Sequence, residues 1–304
     1  MAGSDRNVRG WSVRCTLIAA LAGASFFAPL HAGVGLAQGT SIVEQVPAEV
    51  MGSVASLAQT MRIGEIIEVL REEGIEYGKT LEIDMFPGAG GPAWAAEVDR
   101  IYDAVRMQEA FQSGLARELA RAPDGITAMQ DFFGSDLGQK VLRLEIEARR
   151  ALLDDPAEEA AKLAWEDMSG SDSGRVALLE RFAAANDLVE SNVMGALNAN
   201  LSFYQGMAEG GAFGDEMTED QMLADVWGQE AEVREQVADW LFPYLALAYA
   251  PLTDDELEAY ITYSESPAGQ QLNAALFAAF DGVFTPVSKA LGLAVARELQ
   301  GQDI

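Results

Sequence analysis

The 304-residue chain has one cysteine and one histidine, Cys15 and His31. Both fall in the first 37 residues, which read as a removable leader. Arg6, Arg9 and Arg14 outweigh the single acid Asp5. An apolar run of 16 residues follows, from Cys15 to Leu30, and small residues then lead to Ala37. Basic start, apolar core and small-residue exit are the order of a secretory signal peptide, with cleavage expected after Ala37 or, alternatively, Ala32. The run is shorter than the ~20 residues that span a bilayer, and Pro29 breaks its end, so no anchor is expected. Cys15 lacks the preceding leucine and small residues of a lipoprotein site. The sequence thus predicts a periplasmic or secreted protein, with 1–37 as the leader and no transmembrane segment after its removal.

A mature chain beginning at Gln38 contains neither cysteine nor histidine. That excludes disulfides, thiol nucleophiles, histidine bases and the usual zinc sites. No cofactor is expected. Basic residues are also scarce, at 20 against 48 acids, for a formal charge of −28. The leader carries a net +2, so the mature chain stands at −30. Such a field repels nucleic acid and anionic lipid, and suits a cationic partner or a salty medium. Hydrophobic residues make up 49% of the chain, enough for a folded core despite the charge.

Alternating β-branched stretches are missing as well. Apolar residues instead recur at helical spacing: Leu137, Val141, Leu144, Ala148 and Leu152; Leu272, Leu276, Ala279 and Val283; and Met222, Val226, Val233, Val237 and Leu241 in a long run over 217–242. The expected fold class is all-α and multi-helical. Thr218 with Gln221, and Thr253 with Glu256, form capping boxes. Ser266-Pro267 is a cap followed by proline at the first helical position. Pro243 is expected to kink or end its helix.

The chain also repeats itself. Residues 132–139 overlie 263–270 at an offset of 131, which pairs Ser135 with Ser266 and Gly138 with Gly269. The same offset pairs Phe111 with Phe242 and Ile126 with Leu257. Each half has a Gly-rich loop before a tryptophan, at 87–92 before Trp94 and at 210–214 before Trp227. The reading is a duplicated helical domain of two packed halves, 38–168 and 175–304, joined by a linker at 169–174. The stretch Leu252-Thr253-Asp254-Asp255-Glu256-Leu257, then Tyr260, then Tyr263 through Gln270, resembles an exported bacterial family catalogued as domain of unknown function 2059. The resemblance spans roughly 220–300, with a weaker copy over 92–154 in which Asp136 replaces Pro267. It implies an exported helical domain and supplies no catalytic residues.

Candidate sites are few. Ser135 and Ser266 as nucleophiles would need a lysine base, and Lys79, Lys140, Lys162 and Lys289 stand at no such spacing. With Gly138, Pro267 and Gly269 they read as a structural helix-cap motif, the glycines in the first turn allowing close backbone packing. Residues 169–180 mimic a calcium loop, but Ser169 replaces the leading aspartate, so no metal is assigned. Gly88 to Gly91 form a turn rather than a phosphate loop. The densest acidic patch runs from Glu209 through Asp215, Glu216, Glu219, Asp220 and Asp225 to Asp239, and reads as solvated. On the helix 187–207, Asn198 lies on a small polar face and Asn200 in the middle of an apolar one; together they are the candidate polar site. The functional expectation is an exported binding or scaffold module with a protein partner in the cell envelope and no nucleic acid. A carboxylate-dependent hydrolase of the envelope and a cation-binding or salt-adapted protein are the alternatives.

Overall fold

The computed structural model describes residues 46–171, 173–214 and 217–301. The leader, with Cys15, His31 and both cleavage points, lies outside the described residues, as do Asp172, Asp215 and Glu216. Among the described residues the fold is all-α, with no strand. The first part comprises α1 (Ala48–Thr60), α2 (Ile63–Met85), α3 (Gly91–Ile101), α4 (Ala104–Leu119), a short 3-10 turn at Pro123–Gly125, α5 (Ile126–Gly134) and α6 (Asp136–Ala151). Then come α7 (Asp155–Ser169), α8 (Gly174–Ala185), α9 (Leu188–Glu209), α10 (Glu219–Trp227), α11 (Glu230–Tyr249), α12 (Asp254–Ser264) and α13 (Pro267–Gly301).

Helix α13 is the core of the molecule. Leu272, Leu276, Ala279 and Val283 are all buried, as their spacing requires. By length and composition α13 could cross a membrane, but half of its most apolar stretch is buried inside this fold. It packs against α9 on one side and α4 on the other. Glycine makes both crossings close. A Cβ on Gly206 would lie 2.0 Å from the Lys289 carbonyl, and one on Gly292 would lie 2.0 Å from the Phe203 carbonyl. On the α4 side a Cβ on Gly114 would come within 3.1 Å of the Ala279 Cα. Removing side chains at these points lets the backbones touch and adds dispersion contacts along the whole crossing.

The sequence reading of α10 and α11 is refined at two points. The run over 217–242 is not one helix, since it divides at Gly228-Gln229 into α10 and α11. Its apolar residues Met222, Val226, Val233, Val237 and Leu241 are nevertheless all buried. Of the two outcomes expected at Pro243, a kink or an end, the end does not occur: α11 runs through it to Tyr249. Proline removes a single backbone donor, and Leu241, Tyr244 and Leu245 are buried around it, so packing outweighs that loss.

The two corners flagged by the repeat have matching local geometry. Ser135 caps α6 by accepting the Gly138 N–H at 3.1 Å, and Ser266 accepts the Gly269 N–H at 3.1 Å at the start of α13. Each serine hydroxyl also donates 2.6 Å to the carbonyl three residues before it, Phe132 or Tyr263. The Gln139 amide donates to the carbonyls of Phe133 and Thr60, and the Gln270 amide to those of Ser264 and Ala185. Thr60 closes α1 and Ala185 closes α8. Two residues later in each case, Arg62 and Asp187 adopt left-handed backbone (φ 58° and 44°) before α2 and α9. Phe132 and Tyr263 stack on each other, ring centroids 3.8 Å apart and 6° from parallel.

Candidate functional site

Serine chemistry finds no support at either corner. Both hydroxyls are engaged by backbone groups, as above, and Lys140 is occupied by Glu256, with its Nζ 2.8 and 2.7 Å from the two carboxylate oxygens. A Cβ on Gly138 would lie 2.2 Å from the Phe132 carbonyl, and one on Gly269 would lie 2.1 Å from that of Tyr263. These glycines let the preceding helix end sit directly on the first turn of the next.

The carboxylate with the most altered chemistry is one that the sequence reading passed over. Glu145, on α6, is 4% exposed. Its Oε1 accepts the Tyr249 hydroxyl at 2.7 Å and the Tyr260 hydroxyl at 3.2 Å, while its backbone carbonyl accepts that of Tyr244 at 3.4 Å. Its Oε2 is buried without a hydrogen bond. Burial pushes the Glu145 carboxyl up to about 7, against the two tyrosine hydrogen bonds, which favour the ionised form. Arg149, one turn along, does not neutralise it. That guanidinium is held by Glu73 on α2 (Nε–Oε1 2.6 Å, Nη2–Oε2 2.8 Å) and lies over the Trp240 ring. A fork already matched to one carboxylate leaves little for a second.

This cluster does not make an acid/base pair. Glycosidase chemistry needs two carboxyls facing a shared substrate space. Glu145 faces three tyrosines, and it lines neither the cleft that contains Met107 and Val287 nor the one that contains Gln59 and Gln108. Burial, then the Glu145 charge, raises all three tyrosines well above their usual range, so they act as neutral donors.

The remaining candidates disperse. Asn198 is exposed and donates 3.0 Å to Asp281 on α13. Asn200 is buried with its Oδ1 unpaired. Two residues apart on one helix, they face different surroundings and form no joint site. In the calcium-like loop, Ser169 and Ser171 donate to the carbonyls of Glu166 and Met168, and Ser173 caps α8. Among the described residues no group of three or more carboxylates is placed to hold a metal ion.

What the surface does present is a helix with an unburied apolar edge. Helix α10 buries only Met222 and Val226, and Val226 packs with Val193, Ala196 and Leu197 of α9 and Val233 and Val237 of α11 in a small cluster apart from the main core. Leu223 is 41% and Trp227 49% exposed. They stand at i and i+4, so they share one edge. Glu219, Asp220 and Asp225 are exposed on the same helix, and Glu232 on the start of α11. Its amino end is fixed by the capping box, the Gln221 N–H donating to Thr218 Oγ1 at 3.3 Å and the Gln221 amide oxygen accepting the Thr218 N–H at 2.8 Å.

The chain matches no protein-family model, no curated protein and no solved structure.

Proposed function

We propose that this is an exported binding module whose α10 face receives a cationic, apolar segment of a protein partner in the cell envelope. The single observation that carries the reading is the half-exposed pair Leu223 and Trp227 framed by carboxylates. A tryptophan left half in water exposes area worth several tenths of its burial energy, and interface anchors are enriched in that residue. The acidic frame selects the partner's charge and speeds its approach. The geometry also favours binding over the hydrolase alternative, because the perturbed carboxyl is sealed among tyrosines.

The same reading includes export, and a chain built of two related helical halves. The export signal is the residue order of 1–37. The matching serine corners, glutamine contacts and left-handed residues support the duplication. Kinship with domain of unknown function 2059 rests on the motif over 252–270.

The test uses a synthetic amphipathic helix of leucine and lysine as the probe, with binding followed by fluorescence anisotropy. The mature protein should bind it in a salt-sensitive manner, and Leu223→Ser/Trp227→Ser should weaken binding about tenfold or more, a loss of ~1.4 kcal/mol. Equal binding by the double variant would show attraction by net charge alone and sink the proposal.

A further inference from the structure

We propose that the cleft between the end of α3, the start of α4 and the middle of α13 binds a monocarboxylate with a short aliphatic tail. The cleft has a volume of about 220 Å³. That lies below the ~300 Å³ at which sites for drug-sized ligands begin, so its occupant is small. Met107, Ala110, Val283, Val287 and Ala290 give it an apolar lining. Gly282 and Pro286 complete the α13 wall, and no side chain at Gly282 fills the space.

The charge at the mouth is opposite to that of the molecule as a whole. Arg100 and Arg106 line the cleft and are both exposed. Arg100 binds Glu97, and the Glu97 carboxyl is held below its usual range by the Arg100 hydrogen bond and, further down, by the charges of Arg100 and Arg297. Arg106 has no ion pair among the described residues. A chain with 20 basic residues against 48 acidic ones has thus placed two arginines at an apolar cleft, with the charge of Arg297 adding to that of Arg100 at Glu97. A free guanidinium fork above an apolar floor is complementary to a carboxylate head and an alkyl tail. The class of ligand is a free short-chain or medium-chain fatty acid. A cationic amphiphile would meet like charge, and a neutral alcohol would leave the fork unused.

The experiment is isothermal titration calorimetry of the mature protein with octanoate, octanol, octyltrimethylammonium and acetate. Octanoate is expected to bind one to one, about tenfold or more tighter than each of the others, and to weaken with added salt. Arg106→Glu should weaken octanoate about tenfold. Gly282→Phe should abolish binding while the melting temperature holds or rises, because a Cβ there meets nothing within 4 Å and leaving glycine favours the helix. Absence of octanoate binding at millimolar concentration, octanol binding as tightly as octanoate, or wild-type affinity in both variants would each overturn the proposal.

Discussion

Glu145→Gln isolates the energetic cost of the buried carboxyl. In the unfolded chain this group titrates near 4.5, and in the fold near 7. At 1.36 kcal/mol per pH unit, ionising it in place costs about 3 kcal/mol. The sign follows from proton counting. Below pH 4.5 both states are protonated and the group contributes no pH dependence. Between 4.5 and 7 the unfolded chain releases its proton while the folded one keeps it, so stability falls as pH rises. Above 7 both are ionised and the full cost is present. Glutamine keeps an amide oxygen for Tyr249 and Tyr260 and cannot ionise. Urea unfolding followed by tryptophan fluorescence at pH 5, 6, 7 and 8 should show the parent losing about 2.5 kcal/mol relative to Glu145→Gln across that range, the rest of the cost being already present at pH 5. The difference between the two proteins matters, because the large negative net charge contributes its own pH dependence to both. Parallel profiles would refute the reasoning, since they would mean that Glu145 ionises in the fold as easily as in water.

Three further perturbations address packing, capping and charge. Gly206→Ala drives a Cβ to 2.0 Å from a backbone carbonyl and should cost at least the upper end of the ~1–3 kcal/mol typical of overpacking. Gly195→Ala on the same helix meets nothing within 4 Å and should stabilise by about 0.5–1 kcal/mol; equal melting shifts in the two would contradict the close crossing. Ser266→Ala should cost about 1 kcal/mol and Ser266→Asp largely recover it, whereas labelling of Ser266 by a serine-reactive phosphonate would assign it chemistry instead. The melting temperature should rise with sodium chloride at neutral pH as self-repulsion is screened. Magnesium or calcium stabilising far beyond matched ionic strength would favour a cation site.

Much of the helical pattern was legible because burial and period agree. Leu272, Leu276, Ala279 and Val283 stand at helical spacing and are buried. Thr218 and Thr253 cap with the partners their spacing names. The division at Gly228-Gln229 was hidden because apolar residues keep helical phase across it. The continuity of α11 through Pro243 was hidden for the opposite reason, since a local penalty was overridden by tertiary packing. Leu223 and Trp227 look like ordinary core residues in the sequence. Only the position of α10 at the edge of the α9–α11 cluster leaves them in water.

Glu145 was missed because the stripe chosen for α6 was out of phase. Leu137, Val141, Leu144, Ala148 and Leu152 mark one face, yet Leu137 and Leu144 are only half-buried. The buried face is set instead by Gly138, which must meet the Phe132 carbonyl. Stepping from that glycine by three, four, seven, eight and eleven residues gives Val141, Leu142, Glu145, Ile146 and Arg149, all buried. The same steps from Gly269 reach Leu272, Asn273, Leu276 and Phe280, also buried, with Phe277 between them half-buried. A glycine forced against backbone fixes the phase of its helix more firmly than an apolar count does, because the contact leaves no freedom of rotation. At the steps where α13 has Leu276 and Phe280, α6 has Glu145 and Arg149. The serine corner recurs with apolar residues at those steps, so it does not itself require the two charges. What their burial depends on is the surrounding set, with Glu73 matching Arg149 and the tyrosines of α11 and α12 meeting Glu145.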